Sequence, residues 1–184
     1  FGGSKGLVYL GDYIDRGAQS KQLLDVLIEQ PLRGFDAVHL LGNHEQAMLN
    51  FLADPQAGAA WLSFGGRETL LSYGIGLNYV GMLRQVDRVR DELEEKLPRG
   101  HLEFLSACRE MYTEGSYCFV HAGIRPGVSL ADQSAADLLW IRDEFMNSDA
   151  DHGHMSRLYC VESDFSNTGA MADHRLPLRF GQIG

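Results

Sequence analysis

The sequence has 184 residues, with 16 Lys and Arg against 25 Asp and Glu and a formal net charge of −9. This length predicts one domain with a sizeable core, and the acidic balance argues against a nucleic-acid partner, which needs a basic surface. Three cysteines are too few for a disulfide framework, and we expect them to be reduced, mostly buried thiols. No apolar run approaches the ~20 residues of a membrane span, so we expect a cytoplasmic protein without a membrane partner.

The first predicted element is a short buried strand that runs into a charged turn. Residues 7–10 are apolar and are bounded by glycines, which favours a strand over a helix of ten or more residues. The turn that follows contains Asp12, Asp15 and Arg16. In isolation such a turn is most simply a solvated ion pair. The same pattern of an apolar run followed by polar residues recurs along the chain, however, and this repetition favours a functional site.

Two further apolar runs end in polar residues of the same kind. Residues 37–41 lead to Asn43, His44 and Glu45, and residues 117–120 lead to His121. Each run predicts a strand whose C-terminal end carries oxygen or nitrogen ligands.

The first two strands are expected to be parallel. Helical spacing of apolar residues predicts a helix that Ser20 caps and that stops before Pro31, which makes a βαβ unit with a right-handed crossover. Because ligands bind at the carboxyl ends of strands in open α/β sheets, we expect Asp12, Asn43 and His121 to meet at one edge.

Three more helices are predicted further along. One covers 45–52 and places Asn43 and His44 at its N-terminus, where backbone dipoles favour a phosphate, and Glu45 is expected to support its first turn. A charged helix with a solvated face covers 82–97. An amphipathic helix covers 101–112 and leads to the third strand.

The remaining segments carry no ligand pattern of their own. Large apolar residues after position 60 are interpreted as packing residues: Trp61, Phe64, Leu70, Leu71 and Tyr73. His39 and His101 have apolar neighbours and are interpreted as structural. Residues 155–184 show no clear order of strands and turns.

Three motifs resemble those of a known family. Residues 11–17 (GDYIDRG), 42–45 (GNHE) and 121–123 (HAG) resemble the GDxxDRG, GNHE and HAG signatures of the calcineurin-like metallophosphoesterases, specifically the bacterial-type serine/threonine phosphoprotein phosphatase branch. The resemblance covers 7–145 and leaves 146–184 as a divergent tail. It implies a single α/β domain over 1–184 with the calcineurin-like metallophosphoesterase fold, incomplete at its N-terminus.

The resemblance also implies a metal centre. Asp12 would bridge two divalent ions, and Asn43 and His121 would complete the shell of one of them. Mixed oxygen and nitrogen ligands suit Mn, Fe or Zn without choosing among them.

Catalytic and phosphate-binding roles follow from the same motifs. His44 would be the general acid, and Asp15 would hold its imidazole in the cationic form. Arg16 would hold two phosphate oxygens. The WxR segment 138–145 resembles the family segment with a second phosphate-binding arginine, here Arg142, and Asn43 would also face the phosphate.

The sequence departs from the family pattern near both ends. Family members carry a DxH motif on an earlier strand, which the six residues before Leu7 cannot provide, and the chain starts at Phe1, so we interpret it as processed or as a fragment. His154 is a poor candidate for the late metal-ligand histidine, since residues 148–151 do not form a strand pattern. Residues 167–170 resemble the family's late DTGA turn only faintly. We therefore expect this chain to hold one metal ion or none.

These observations predict a metal-dependent phosphomonoester hydrolase. The first interpretation is a serine/threonine protein phosphatase that acts as a monomer on a phosphoprotein or a small phosphate ester. One alternative is a dinucleoside-polyphosphate hydrolase of the same superfamily. The other is a non-catalytic remnant that binds phosphate without turning it over, which the missing DxH motif favours.

Overall fold

The computed structural model describes residues 5–76, 85–146, 159–162 and 174–177, the last two segments by their backbone. Within these residues the strands are β1 Lys5–Tyr9, β2 Phe35–His39, β3 Met111–Glu114, β4 Tyr117–Val120, β5 Tyr159–Glu162 and β6 His174–Pro177. The helices are α1 Ser20–Glu29, α2 Asn43–Ala53, α3 Gly66–Ser72, α4 Val86–Lys96, α5 Arg99–Ala107, α6 Ala135–Trp140 and α7 Asp143–Met146, with 3₁₀ helices at Ala57–Ser63 and Leu130–Asp132. The fold is mixed α/β. No helix in this part of the chain combines the length and apolar character needed to cross a bilayer.

Strands β1 and β2 pair in parallel, with Lys5 opposite Phe35 and Tyr9 opposite His39. Helix α1 connects them, and its Leu24 is completely buried in the core. The predicted βαβ unit is therefore confirmed. Its consequence is that the loops after β1 and β2 leave the sheet at the same edge.

The helix predicted over 101–112 is wrong in its second half. Helix α5 ends at Ala107, and Cys108 is already extended. The backbone of Arg109 then continues the sheet beside β2, donating to His39 O at 2.9 Å and accepting from Leu41 N at 2.7 Å. These sheet bonds replace the helical bonds that the apolar spacing favoured, and β3 follows directly.

Helix α1 begins at Ser20 rather than after it. Gln19 occupies the capping position, and its side chain makes no capping bond. The Ser20 hydroxyl instead accepts a bond from Asp15 N at 3.1 Å. The predicted cap is wrong because this hydroxyl faces the loop between β1 and α1.

The core lies between α1, α2, the 3₁₀ helix, α3, α4 and α5. Its fully buried large side chains include Leu24, Met48, Phe51, Trp61, Leu70, Leu93 and Leu105. Trp61, Leu70 and Tyr73 are buried as predicted, whereas Leu71 is 47% exposed. Because α3 has only seven residues and packs on one side, its neighbouring positions cannot all face the core.

The chain divides into two compact units, one of residues 1–114 and 118–147 and one of residues 115–117 and 148–184. In the second unit β5 and β6 pair in parallel, with Tyr159 opposite His174. The expectation that 155–184 has no strand order is therefore wrong for these two strands. His154 and 167–170 lie outside the described residues, and the single-domain assignment stays a prediction.

Two adjacent leucines in α1 test this packing. We expect Leu24→Ala to lower the free energy of unfolding by about 2–5 kcal/mol, because it empties a completely buried position. Leu23→Ala is the matched control: it sits in the same helix with 42% exposure and should cost less than about 1 kcal/mol. Urea denaturation measures both, and equal losses would contradict the core as described.

Candidate functional site: a metal and phosphate site at the sheet edge

The loop after β1 has an unusual backbone. Asp12, Asp15 and Arg16 have positive φ angles of 59°, 73° and 57°, and Gly11 has a φ of 95°. For residues other than glycine this left-handed region costs of order 1–3 kcal/mol each and persists only where surrounding contacts impose it. The loop that carries three of the candidate site residues is therefore held in a strained shape.

The side chain of Glu45 holds the first half of this loop, residues 12–14. Its Oε1 accepts bonds from Tyr13 N at 2.7 Å and Ile14 N at 3.1 Å, and its Oε2 accepts from Asp12 N at 2.8 Å and Gly42 N at 2.9 Å. A bond from N–H to a charged group is worth about 1.5–3 kcal/mol, which is comparable with the strain at one loop residue. The bond to Gly42 supports the first turn of α2, as the sequence predicted, and the other three bonds attach that helix to the loop.

Glu45 is completely buried. Burial raises the pKa of its carboxyl group, the charge of Asp12 adds to this effect, and the backbone N–H donors oppose it. Each carboxylate oxygen nevertheless receives two N–H bonds, which leaves no acceptor position for a proton. The geometry thus accommodates the ionised form.

Gly42 lies where two backbone segments almost touch. A Cβ at this position would fall on Asp12 N and on Glu45 Oε2, and a Cβ at Gly11 would fall on the backbone of Gly42. Only glycine allows this approach. The close packing of the two loops brings Asp12 next to the start of α2.

Asp12, Asn43 and His121 come together beyond the carboxyl ends of β1 and β2, although His121 follows β4, which pairs with β3 in a separate sheet. His121 Nε2 lies 3.1 Å from Asn43 Oδ1 and 3.4 Å from Asp12 Oδ1. The Asp12 side chain is 43% exposed and the His121 side chain 15% exposed, so the group is open to solvent. These residues lie 31 and 78 positions apart along the chain, and the fold alone unites them.

The donor atoms of this group fit a divalent cation. His121 Nδ1 faces the carbonyl oxygen of Leu10 at 2.7 Å, and a carbonyl only accepts, so Nδ1 carries a proton. In the neutral imidazole, Nε2 is then the unprotonated nitrogen, and it faces two oxygen acceptors. A histidine that donates its other N–H to a backbone carbonyl is the usual arrangement around a metal. With Nε2 unprotonated, the three facing atoms are all acceptors, which a bound cation would satisfy.

No larger cluster accompanies this group. Within 5–76 and 85–146, no set of three or more His, Cys, Asp or Glu side chains is placed to hold a metal ion. The candidate set contains one carboxylate, one imidazole and one amide. Its role as a metal centre stays a prediction.

His44 and Asp15 form a buried pair. His44 Nδ1 lies 2.7 Å from Asp15 Oδ2, and the side chains are 4% and 0% exposed. The hydrogen bond to Asp15 raises the pKa of His44, against the lowering effect of burial. Phe64 packs edge-on against the His44 ring, with centroids 5.4 Å apart. This pair has the geometry of a proton donor and its orienting carboxylate.

Sequence reasoning missed two residues that bind Asp15. Trp61 Nε1 donates to Asp15 Oδ2 at 2.8 Å, and Thr69 Oγ1 donates to Asp15 Oδ1 at 2.6 Å. The sequence predicts only a packing role for Trp61, and no periodicity marks Thr69. The partners of these two side chains are 46 and 54 positions away in the sequence, so only the folded structure shows them.

The two candidate phosphate-binding arginines lie at the surface. Arg16 is exposed in the loop after β1, and Arg142 is exposed directly after α6. Ala122 N donates to Leu138 O at 2.8 Å, which ties α6 to the residue after His121. The structure therefore anchors the segment of Arg142 beside the His121 loop, and its binding role stays a prediction.

The other histidines that were interpreted as structural lie in packed surroundings. His39 stacks on Tyr9 with ring centroids 4.7 Å apart, and burial lowers its pKa. His101 is 3% exposed and bonds Tyr73 and Asp25, each at 2.8 Å.

An open groove of ≈ 410 Å³ runs along α2 and the first 3₁₀ helix. Its lining contains four alanines, Gly58, Phe64 and Trp140, together with Asn50, Asp54 and Trp61. Trp140 Nε1 bonds Gln46 Oε1 at 2.8 Å. Since Phe64 also contacts His44, the groove begins next to the buried pair.

Comparison with protein families places most of the chain in one match. The model of the calcineurin-like phosphoesterases matches residues 3–158. A comparison with curated proteins finds no match. The family match contains all of the candidate site residues described above.

The hydrogen bonds of Glu45 predict that the substitution Glu45→Gln destabilises the fold. Glu45→Gln keeps the size but replaces one acceptor with an NH₂ group that faces N–H donors, so we expect a loss of about 1–3 kcal/mol in the free energy of unfolding. Glu95→Gln, exposed on α4, is the control and should change stability by less than about 0.5 kcal/mol. Chemical denaturation measures both free energies of unfolding. A Glu45→Gln variant as stable as the control would show that the four hydrogen bonds of Glu45 do not stabilise the fold.

The His44–Asp15 pair predicts a pH-dependent cost for Asp15→Asn. Because the folded protein raises the pKa of His44, the pair stabilises the fold fully below the unfolded histidine pKa of about 6.5, and the effect disappears as pH rises through the folded pKa. We expect Asp15→Asn to lose more stability at about pH 5.5 than at about pH 9. Urea denaturation at both pH values measures this, with exposed Asp91→Asn as control. Equal losses would show that the pair carries no charge-dependent interaction.

Proposed function

Since this chain belongs to the calcineurin-like phosphoesterase family, we propose that it hydrolyses phosphomonoesters with the help of a bound divalent metal. We propose phosphoserine and phosphothreonine in proteins as its substrates. The observation that carries the proposal is that Asp12, Asn43 and His121 meet. The next residue after Asn43 is His44, which is buried and bonded to Asp15.

The metal would be held by Asp12 Oδ1, Asn43 Oδ1 and His121 Nε2. Mn, Fe or Zn suits this mixture of oxygen and nitrogen donors. When bound, such an ion polarises the phosphoryl group and activates water near neutral pH. The bond from His121 Nδ1 to Leu10 O keeps the ring oriented with Nε2 toward this position.

His44 would supply the proton for the leaving oxygen. Its Nδ1 bonds Asp15, so Nε2 is the nitrogen left to give a proton to the substrate. Since the raised pKa of His44 keeps the imidazole protonated nearer to neutral pH, Nε2–H is available to donate. After the transfer, Asp15 still holds the Nδ1–H and so keeps the ring in place.

The phosphate would be bound from two sides. The first turn of α2 presents backbone N–H groups with the positive end of the helix dipole, and Asn43 lies in that turn. Arg16 would reach the phosphate oxygens from the adjacent loop with its planar fork, and Arg142 would approach from the segment after α6.

A metal-binding and turnover experiment tests this function. We expect wild type to bind Mn²⁺ in isothermal titration calorimetry and to release phosphate from p-nitrophenyl phosphate and a phosphoserine peptide. His121→Ala should abolish Mn²⁺ binding and turnover. His44→Asn should keep Mn²⁺ binding and lose about 10²–10⁴-fold in kcat. His39→Asn, a packed histidine outside the site, is the control.

Other outcomes separate the alternatives. Turnover of a dinucleoside polyphosphate without turnover of phosphopeptide would replace the proposed substrate class. Binding of inorganic phosphate without turnover of any ester would identify a non-catalytic binder. Activity that survives His44→Asn unchanged would remove the general-acid role.

A further inference from the structure

The carboxylate of Asp15 bonds three buried side chains. Oδ1 accepts from Thr69 Oγ1 at 2.6 Å, and Oδ2 accepts from Trp61 Nε1 at 2.8 Å and faces His44 Nδ1 at 2.7 Å. The Asp15 side chain is 0% exposed. Each oxygen therefore has a protein partner, and rotation of the carboxylate would break bonds at both oxygens.

The hydroxyl of Thr69 binds Asp15 twice. It donates to the side-chain Oδ1 and accepts from the backbone N–H of Asp15 at 2.9 Å. The same backbone N–H faces Ser20 Oγ at 3.1 Å. One hydroxyl thus fixes both the left-handed backbone of Asp15 and the direction of its side chain.

Both donors come from a remote segment, 46 and 54 positions from Asp15. The same segment contributes Phe64, which packs on the His44 ring, and Gly65, where a Cβ would fall on Asp15 Cβ. Trp61 and Thr69 are 1% and 0% exposed. They are thus placed to act through Asp15 and not on the substrate directly.

We propose that Trp61 and Thr69 are positioning residues for the proton donor: they aim Asp15 Oδ2 at His44 Nδ1 and thereby hold the acidic Nε2–H toward the leaving oxygen. The proposal rests on the proposed function. In the step that it supports, a water oxygen bonds to phosphorus as the ester P–O bond breaks, and the proton of His44 Nε2 moves to the leaving ester oxygen. The hydrogens of the water stay with the released phosphate, and His44 ends neutral with its Nδ1–H still bonded to Asp15.

The positioning role predicts a dependence on the leaving group. A poor leaving group needs the proton more than a good one, so a misplaced acid slows phenyl phosphate more than p-nitrophenyl phosphate. With Mn²⁺ present, we expect Thr69→Val to lower kcat for phenyl phosphate about tenfold more than kcat for p-nitrophenyl phosphate, with little change in KM. Thr69→Ser keeps the hydroxyl and should restore the wild-type ratio. Trp61→Phe should change the ratio in the same direction as Thr69→Val.

A matched control lies in the same helix. Ser72 donates to Thr69 O at 2.7 Å and accepts from Lys21 N, and no bond joins it to Asp15 in the described part of the chain. Ser72→Ala removes a structural hydroxyl of the same segment and should leave the ratio of the two kcat values unchanged. A ratio that changes equally in Ser72→Ala would overturn the proposal, since the effect would then be structural.

A second measurement does not depend on turnover. In ¹⁵N-labelled protein, the His44 Nδ1–H should give a downfield proton signal protected from exchange, which Thr69→Val shifts or removes and which Thr69→Ser and Ser72→Ala retain. An unchanged signal in Thr69→Val, or an unchanged ratio in that variant, would overturn the proposal. If no ester is hydrolysed by wild type, the proposed function fails, and this signal alone decides whether the two residues position His44.

Discussion

The carboxylate of Glu45 determines how the two loops at the sheet edge meet. It takes four backbone N–H bonds, three of them from the strained loop after β1 and one from the start of α2. Asp12 is the left-handed residue that bonds this carboxylate and would relax without it, whereas Asp15 N is held by Ser20 and Thr69. The buried Glu45 carboxylate therefore joins the loop that carries Asp12 to the helix turn that carries Asn43 and His44.

Three consecutive residues in the first turn of α2 bind three different partners. Asn43 turns to His121, His44 to Asp15, and Glu45 to the loop backbone. Successive side chains of a helix point about 100° apart, so one turn reaches three different partners. Asn43, His44 and Glu45 cannot move independently because they are consecutive residues of one helix turn.

The sequence allowed a good prediction of the parts that depend on local pattern. The apolar runs gave β4 with its observed bounds and the parallel pairing of β1 with β2. The meeting of Asp12 with Asn43 followed from the rule that ligands collect where parallel strands end, whereas His121 follows β4, which pairs with β3 in a separate sheet. These inferences needed only apolar runs, the helix that connects β1 and β2, and the polar residues at the strand ends.

The remainder depended on contacts between distant segments. The spacing of apolar residues continued past Ala107, but Arg109 forms sheet bonds with His39 and Leu41 that no local pattern encodes. Thr69 lies in a short helix without any sign of its two bonds to Asp15. In both places a tertiary hydrogen bond decides the outcome, and only the folded chain brings its two partners together.

The central claim is that one cation binds among Asp12, Asn43 and His121. Anomalous diffraction from crystals grown with Mn²⁺ and measured at the manganese absorption edge tests it most directly. The account predicts a single strong peak within coordination distance of Asp12 Oδ1, Asn43 Oδ1 and His121 Nε2. A map without a peak there, or with its only strong peak at other residues, would contradict it.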